Sequence, residues 1–249
     1  MIAFAAGLMI SACGNSQKNN DKSVDSDSTK DTPTAAQAEE EEDYYDTPSR
    51  GIDAIRAAWK SKTIKVDAGT TAPDIKELAF AFCKTYPQCE TNRALMGYLN
   101  SPESSTKDEY ELGLDDGFNY FINCIPKEGY IRCMGEIEVD RFTYGCYWNR
   151  ENGHKLFAAF MEECWETADW DQCLVVFYDY DPATDVLTPE PALTDMIENR
   201  MKDYFIYIVR LPEEGKDIEV VGFESIEEDA CADETFTLKW NGNTFNWVD

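Results

Sequence analysis

The chain has 249 residues, of which 49 are acidic and 22 are Lys or Arg, so its formal net charge is −27. Binding to nucleic acid depends on Lys and Arg side chains that neutralise phosphates, and this charge argues strongly against nucleic acid and against bare anionic lipid head groups as partners. The length that follows residue 50 suffices for one domain with a hydrophobic core, to which an aromatic content of 13% contributes large side chains.

The first residues have the pattern of a secretory signal. An apolar run from Ile2 to Ile10 is followed by the small residues Ser11 and Ala12 and then by Cys13. A short apolar segment that ends in small residues is typical of a cleavable signal peptide and is too short to span a bilayer. We therefore predict that residues 1–12 are a signal peptide, although the Lys or Arg that usually precedes the apolar run is absent.

The position of Cys13 directly after the small residues resembles the signal of bacterial lipoproteins. The resemblance implies a diacylglyceryl group on the Cys13 sulfur, cleavage before Cys13, and acylation of the new amino terminus by a fatty acid such as palmitate. In such lipoproteins an Asp after the Cys retains the protein in the inner membrane, so Gly14 implies the outer membrane. We expect a lipid-anchored protein of the cell envelope, and the sequence leaves the periplasmic and surface faces both open.

A polar and acidic segment follows the lipidation site. It contains Asp25-Ser26-Asp27-Ser28 and an acidic run from Glu39 to Asp43. Such a segment cannot bury enough apolar surface to offset the entropy lost on ordering. Residues 13–50 are therefore predicted to be the lipidated Cys with a disordered acidic tether, and residues 51–249 a single globular domain.

Three short helices are predicted at the start of the globular part. The first covers residues 52–59, where Ile and Trp side chains share one face. In the second, from Ile75 to Tyr86, apolar residues recur at helical spacing, with Thr71 as a candidate cap and Asp74 in the first turn. The third extends from Thr91 to Leu99.

Strands are predicted to follow the helices. The expected strands are Tyr120–Ile125, Tyr130–Val139, Phe142–Trp148 and Cys173–Tyr180. The segment Lys155–Trp165 fits a helical period, but the preceding turn with Asn152-Gly153 favours a returning strand, which we prefer.

The last part of the chain is predicted to contain one helix and four short strands. The helix begins at Thr188-Pro189-Glu190-Pro191, where Pro needs no amide donor. The strands are Phe205–Leu211, Ile218–Phe223, Thr235–Trp240 and Thr244–Val248, with Asn241-Gly242 as the last hairpin turn. The predicted fold class is α+β, with N-terminal helices followed by an antiparallel β-meander or sheet and one inserted helix.

Two aromatic segments, Phe177-Tyr178-Asp179-Tyr180-Asp181-Pro182 and Leu238-Lys239-Trp240-Asn241-Gly242, resemble segments of uncharacterised lipoproteins from Bacteroidetes. The resemblance implies a cellular location and carries no assigned chemistry.

Eight cysteines besides Cys13 are candidates for disulfides, since an even number in an exported chain is typical of a disulfide framework. They are Cys83, Cys89, Cys124, Cys133, Cys146, Cys164, Cys173 and Cys231. Local turns favour the pairs Cys83–Cys89, Cys124–Cys133 and Cys164–Cys173, which leaves Cys146 for Cys231. Buried free thiols are the alternative, and a zinc site is disfavoured because no CxxC pair occurs.

No metal or cofactor is expected. Asp179, Asp181, Asp185 and Glu190 occupy positions one, three, seven and twelve of an EF-hand register, and they are weak candidates for calcium ligands. Position six, where that loop requires Gly, is Thr184, so a hairpin turn is the favoured interpretation.

Catalytic motifs are absent from the sequence. His154, the single histidine, follows a predicted turn, and no Gly-x-Ser-x-Gly nucleophile motif accompanies it. Carboxylate pairs occur by chance among 49 acidic residues, and Glu162-Glu163 and Glu213-Glu214 are expected to be solvated.

The sequence therefore favours a lipid-anchored, non-catalytic binding or interaction module of the cell envelope, with an unknown protein or glycan ligand. The alternatives are a carboxylate-dependent hydrolase that acts on envelope or host glycans, and a structural or protective surface protein. A binder should show an exposed aromatic patch, and a hydrolase should show a pocket with carboxyl groups of perturbed pKa.

Overall fold

Two antiparallel β-sheets and four short helices form the fold. The computed structural model describes residues 50–69, 72–107, 109–113, 119–135, 141–163, 173–224 and 234–248. These residues belong to one unit that extends from Asp43 to Asp249. The predicted signal peptide, Cys13 and nearly all of the predicted tether lie outside the described residues.

The helices are α1 (Arg50–Ala58), α2 (Ile75–Thr85), α3 (Glu90–Asn100) and α4 (Pro191–Met201). Helix α2 begins with a capping box, in which the Asp74 side chain accepts from the Lys76 and Glu77 amides and Glu77 accepts from the Asp74 amide. The predicted cap, Thr71, lies outside the described residues. No helix in the described part of the chain combines the length and apolar character needed to cross a membrane.

The larger sheet has eight strands in the order β1-β8-β7-β6-β5-β4-β3-β2. The strands are β1 (Ile64–Lys65), β2 (Glu109–Gly113), β3 (Asn119–Ile125), β4 (Tyr130–Gly135), β5 (Arg141–Asn149), β6 (Lys155–Glu163), β7 (Cys173–Asp181) and β8 (Val186–Pro189). Strands β2 to β8 form a continuous antiparallel meander, and β1 pairs with the far edge at β8.

The smaller sheet has four strands in the order β12-β11-β10-β9. They are β9 (Ile206–Arg210), β10 (Ile218–Phe223), β11 (Glu234–Trp240) and β12 (Phe245–Val248). Asn241-Gly242 forms the turn between β11 and β12, as the sequence predicts, with Gly242 at a φ of 96° that favours glycine.

Two hydrophobic cores lie on opposite faces of the larger sheet. Helices α1 to α3 cover the inner face, where Tyr178 of β7 packs among helix residues such as Phe82 and Trp59. Helix α4 and the smaller sheet cover the opposite face, which we call the outer face, where Phe177 packs against Phe245. Strand β7 is therefore buried on both sides, which explains its continuous run of apolar residues.

The predicted α+β class is wrong. The described residues contain twelve strands in two separate sheets and only four short helices, and β1 interrupts the expected leading block of helices. The spacing of apolar residues predicts the helices. It does not reveal that the strands divide into two sheets, with a second core between the larger and the smaller sheet. The fold is mostly β.

Candidate functional site

The smaller sheet covers only part of the outer face. Its core with α4 involves outer residues of β4 to β7, such as Tyr130, Phe160 and Val175. Beyond this core, outer residues of β3 are accessible, and Phe121 is 41% exposed. A single exposed apolar residue is common on protein surfaces, so Phe121 is informative only together with the apolar side chains that lie beside it.

A cleft opens where the two sheets meet. It has a volume of about 380 Å³ and lies between Tyr130, Phe142 and Tyr144 of the larger sheet and residues 208–211 and 213, at and just after the end of β9. A second hollow of about 320 Å³ adjoins it on β2 to β4, around Phe121, Arg132 and Met134. Arg132 is the neighbour of Tyr144 on the adjacent strand, so the two hollows form one continuous surface.

The strand register aligns the side chains of this surface in two rows. The first row crosses from β2 to β6 through Glu111, Phe121, Met134, Phe142 and Glu162. The second row crosses the same strands through Glu109, Asn123, Arg132, Tyr144 and Phe160. Residues directly opposite each other on paired strands have Cβ atoms about 4.5–5.5 Å apart, so each row is continuous.

We call Phe121, Met134, Phe142 and Tyr144 the platform. The rings of Phe142 and Tyr144 are stacked, with centroids 5.9 Å apart and an interplanar angle of 20°. Tyr144 also contacts the fully buried Phe160 at 6.1 Å. The platform is thus an accessible extension of the outer core and is held in place by it.

Charged residues surround the platform. Arg132 lies between the two hollows, with its Nη1 atom 3.0 Å from Glu213 Oε1. Glu162 is only 7% exposed, whereas Glu109 and Glu111 are exposed on the edge strand β2. The surface thus combines apolar rings with carboxylates at both ends of its first row.

The tyrosines of the cleft remain neutral at physiological pH. Burial raises the pKa of Tyr130, and the neighbouring Glu213 adds to the rise. Burial also raises the pKa of Tyr144, where Glu162 and Glu213 act in the same direction and Arg132 opposes them. Both phenols therefore keep their protons, and each can donate or accept a hydrogen bond.

Two of the four weak calcium candidates, Asp179 and Glu190, meet at an arginine that no sequence motif singles out, and a third, Asp181, lies near His154. Arg150 follows β5, its side chain is 9% exposed, and it donates hydrogen bonds to Asp179 and to both oxygens of Glu190. His154 Nδ1 lies 2.7 Å from the other oxygen of Asp179, and its Nε2 atom lies 3.7 Å from Asp181. The guanidinium thus occupies the place between two of the proposed ligands.

The fourth candidate is separated from the others. Asp185 pairs with Lys65 at 3.2 Å and accepts from the Tyr180 hydroxyl at 3.0 Å. Burial acts to raise its pKa, but Lys65 and Tyr180 outweigh burial, so the pKa of Asp185 is lowered. The pKa of Asp181 is also lowered, chiefly because it accepts from the Ala183 amide and the Thr184 hydroxyl in the turn.

These contacts match the predicted hairpin turn better than a calcium loop. Within the described residues, no group of three or more His, Cys, Asp or Glu side chains is arranged to hold a metal ion. His154 lies directly after the turn, as predicted, and its side chain is 30% exposed.

The cysteines of the described residues are buried. Cys83, Cys133 and Cys146 carry free thiols in the structure, and Cys164 and Cys231 lie outside the described residues. Burial raises the pKa of Cys83 and Cys133, and raises that of Cys146 to about 12, so the reactive thiolate form of each is disfavoured.

The pairing of β3 with β4 fixes the relative position of Cys124 and Cys133, one of the predicted disulfide pairs. Cys124 is paired with Ile131 and Cys133 with Ile122, so the two cysteines face each other diagonally across β3 and β4. Diagonal neighbours are about 7–8 Å apart, whereas bridged cysteines usually have Cα atoms about 4.4–6.8 Å apart. The disulfides stay a prediction from the sequence.

Two tryptophans and two of the glutamates predicted to be solvated lie at the contact between the two sheets. Trp148 and Trp240 stack with centroids 6.1 Å apart between the two sheets, where they serve the outer core. Glu162 and Glu213, which were expected to be solvated, both line the cleft. The side chain of Glu163 lies outside the described part.

Comparisons with known proteins give little further information. No protein family matches the chain, and no curated protein matches it. Among solved structures, the chain is similar to a domain of an uncharacterized protein from Porphyromonas gingivalis W83, a member of the Bacteroidetes, with a TM-score of 0.45 and 11% sequence identity over 71% of this chain and 100% of that chain.

Proposed function

We propose that this protein is a lipid-anchored, non-catalytic binding module of the cell envelope, and that the platform and the cleft beside it form its binding surface. The observation that carries the proposal is the platform itself: Phe121, Met134 and Phe142 lie in one cross-strand row with Tyr144 beside them, and together they extend from a buried core into the cleft and the adjoining hollow.

The composition of this surface supports binding. Ligand sites and the centres of protein interfaces are rich in aromatic side chains and Met, with a small number of polar groups that fix orientation. Here Phe121, Met134 and Phe142 provide the apolar area, while the Tyr144 hydroxyl and Arg132 provide polar contacts. A structural or protective protein has no need for such a surface.

The carboxyl groups near His154 support a non-catalytic role. A glycoside hydrolase needs a carboxylic acid of raised pKa opposite a second carboxylate. Asp179 and Glu190 are instead held by Arg150, and the pKa of Asp181 is lowered rather than raised. This group of residues connects β5, β7 and the β11–β12 turn, because Arg150 also donates to the Asn243 carbonyl at 2.8 Å.

The lipid anchor is supported by the residues before and after Cys13. The apolar run before Cys13 has the length of a signal peptide, and the polar, acidic residues after it suit a spacer between a membrane and a folded domain. More than one acyl chain is needed for stable anchoring, and the lipoprotein pattern implies several.

A binding screen tests the proposal. The full chain, solubilised in detergent, is presented to immobilised panels of oligosaccharides and peptides, and the variant F121A/Y144A is measured beside it. We expect at least one ligand to bind the wild-type chain and to be lost in this variant, because the variant removes two rings of the platform.

Phe205→Ala is the matched control, since Phe205 is 49% exposed and lines a separate hollow that contains no platform residue. The control should retain the ligand, and circular dichroism should show that all variants are folded. The milder variant F121S, which changes only an exposed side chain, covers the case in which F121A/Y144A does not fold. A ligand that binds all variants equally, or hydrolysis of a bound oligosaccharide, would contradict the proposal.

A further inference from the structure

We infer that the platform binds a cationic peptide segment of a partner protein, with Arg or Lys side chains placed against the platform rings. The inference rests on the binding function proposed above and adds the chemical class of the ligand. Three features support it: the local charge of the surface, the aromatic rings of the platform, and the net charge of the whole chain.

The local charge of the surface is negative. Four glutamates line the two hollows, namely Glu109, Glu111, Glu162 and Glu213, against two arginines, Arg132 and Arg210. Both arginines already have carboxylate neighbours, Glu213 for Arg132 at 3.0 Å and Glu219 for Arg210 at 3.6 Å. An incoming anion would therefore compete with these ion pairs, whereas an incoming cation gains carboxylates that flank the rings.

The rings of the platform suit the same kind of ligand. A guanidinium or ammonium group over an aromatic face is attracted by the ring quadrupole, and Arg is found in this position more often than Lys. This fold already uses such contacts, because Arg200 Cζ lies 4.5 Å from the centroid of Phe236 and Lys155 Nζ lies 3.8 Å from that of Tyr147. Phe121 is exposed next to Glu111, so one ligand side chain can contact a ring and a carboxylate together.

The net charge of the whole molecule also favours a cationic ligand. A net charge of −27 attracts cationic partners over long distances and repels acidic peptides, nucleic acids and anionic glycans. This long-range attraction raises the rate of encounter, and the platform then determines where the ligand binds.

The charge of the chain also complicates the test, because the acidic residues before residue 51 attract any polycation. The decisive variant must therefore remove rings and leave every charge in place. F121A/Y144A meets this requirement. A second variant, E109Q/E111Q, removes two charges beside the platform, and E128Q/E151Q removes two exposed charges that do not line either hollow.

The probe is a fluorescent octapeptide in which Arg alternates with Ser, and its binding to the full chain in detergent is followed by fluorescence anisotropy. We expect the wild-type chain to bind it and F121A/Y144A to bind it about tenfold more weakly, since two cation–π contacts are lost. E109Q/E111Q should weaken binding about fivefold, and E128Q/E151Q should leave it nearly unchanged. Binding should also weaken as the NaCl concentration rises from about 0.05 to 0.5 M.

Two comparison probes separate this inference from the proposed function. They are the same octapeptide with Glu in place of Arg, and a neutral hexasaccharide of N-acetylglucosamine. Platform-dependent binding of the saccharide without platform-dependent binding of the Arg peptide overturns the inference and leaves the binding function intact. Equal binding of the Arg peptide to the wild-type chain and F121A/Y144A overturns the inference, and so does the absence of any binding of that peptide.

Discussion

Single residues that look functional in the sequence turn out to support the fold. Asp179, Asp181 and Glu190 form part of an imperfect calcium register, but the structure places Asp179 and Glu190 around Arg150. An arginine has no fixed spacing to its partners in a sequence, so no pattern singles out Arg150. Conversely, Phe121 and Tyr144 look like ordinary alternating strand residues, and only the tertiary structure makes them candidates for binding, because Tyr144 lines the cleft beside β9 and Phe121 lines the adjoining hollow.

Replacing Arg150 should destabilise the protein. The variant R150L leaves Glu190 without its cation and Asp179 with only its contact to His154. Removing one partner of a fully buried ion pair costs roughly 3–5 kcal/mol, and the loss here should be smaller because the two carboxylates are 25% and 28% exposed. Urea unfolding monitored by tryptophan fluorescence measures this loss. R210L is the matched control, because the Arg210 side chain is 60% exposed and its pair with Glu219 should contribute less than about 1 kcal/mol. Equal midpoints for the two variants would show that the Arg150 cluster is not structural.

At the scale of elements, local patterns predict nine of the twelve strands in the described part of the chain, but they miss β1, β2 and β8, and Thr188-Pro189, the predicted start of the last helix, belongs to β8. Lys155–Glu163 fits a helical period, yet the short turn before it and pairing on both sides make it the central strand β6. The four strands after α4 were also predicted close to their positions, because each alternates over a few residues between turn residues. Pairing with β5 and β7 thus makes the ambiguous segment Lys155–Glu163 a strand, whereas the periodicity of its apolar residues alone does not distinguish a strand from a helix.

The capping box of α2 provides a prediction at this scale. D74A should reduce the free energy of unfolding by about 1 kcal/mol, because the Lys76 and Glu77 amides lose their acceptor. D74S, which restores a capping oxygen, should recover most of the loss, and thermal unfolding of the three proteins gives the comparison. If D74S is as unstable as D74A, the role of Asp74 is something other than capping.

At the scale of the whole molecule, the main question is how the folded part is placed in the cell. The lipoprotein pattern predicts that C13S abolishes incorporation of radioactive palmitate when the full chain is produced in a Gram-negative host. C146S, which alters a buried cysteine of the folded part, is the control and should be labelled like the wild type. Labelling of C13S, or an intact mass that still contains residues 1–12, would refute the predicted anchor.

The sequence by itself determined the local features of this protein: the signal-like start, the acidic segment, the helices with their apolar faces, and most strands with their turns. Each of these depends on residues that are close together in the chain, so period, charge and turn chemistry suffice to recognise it. The tertiary structure alone decided the division into two sheets, the ion pairs of Arg150 and the platform. These depend on which distant strands pair and where the smaller sheet ends, and both are set by the packing of the two cores.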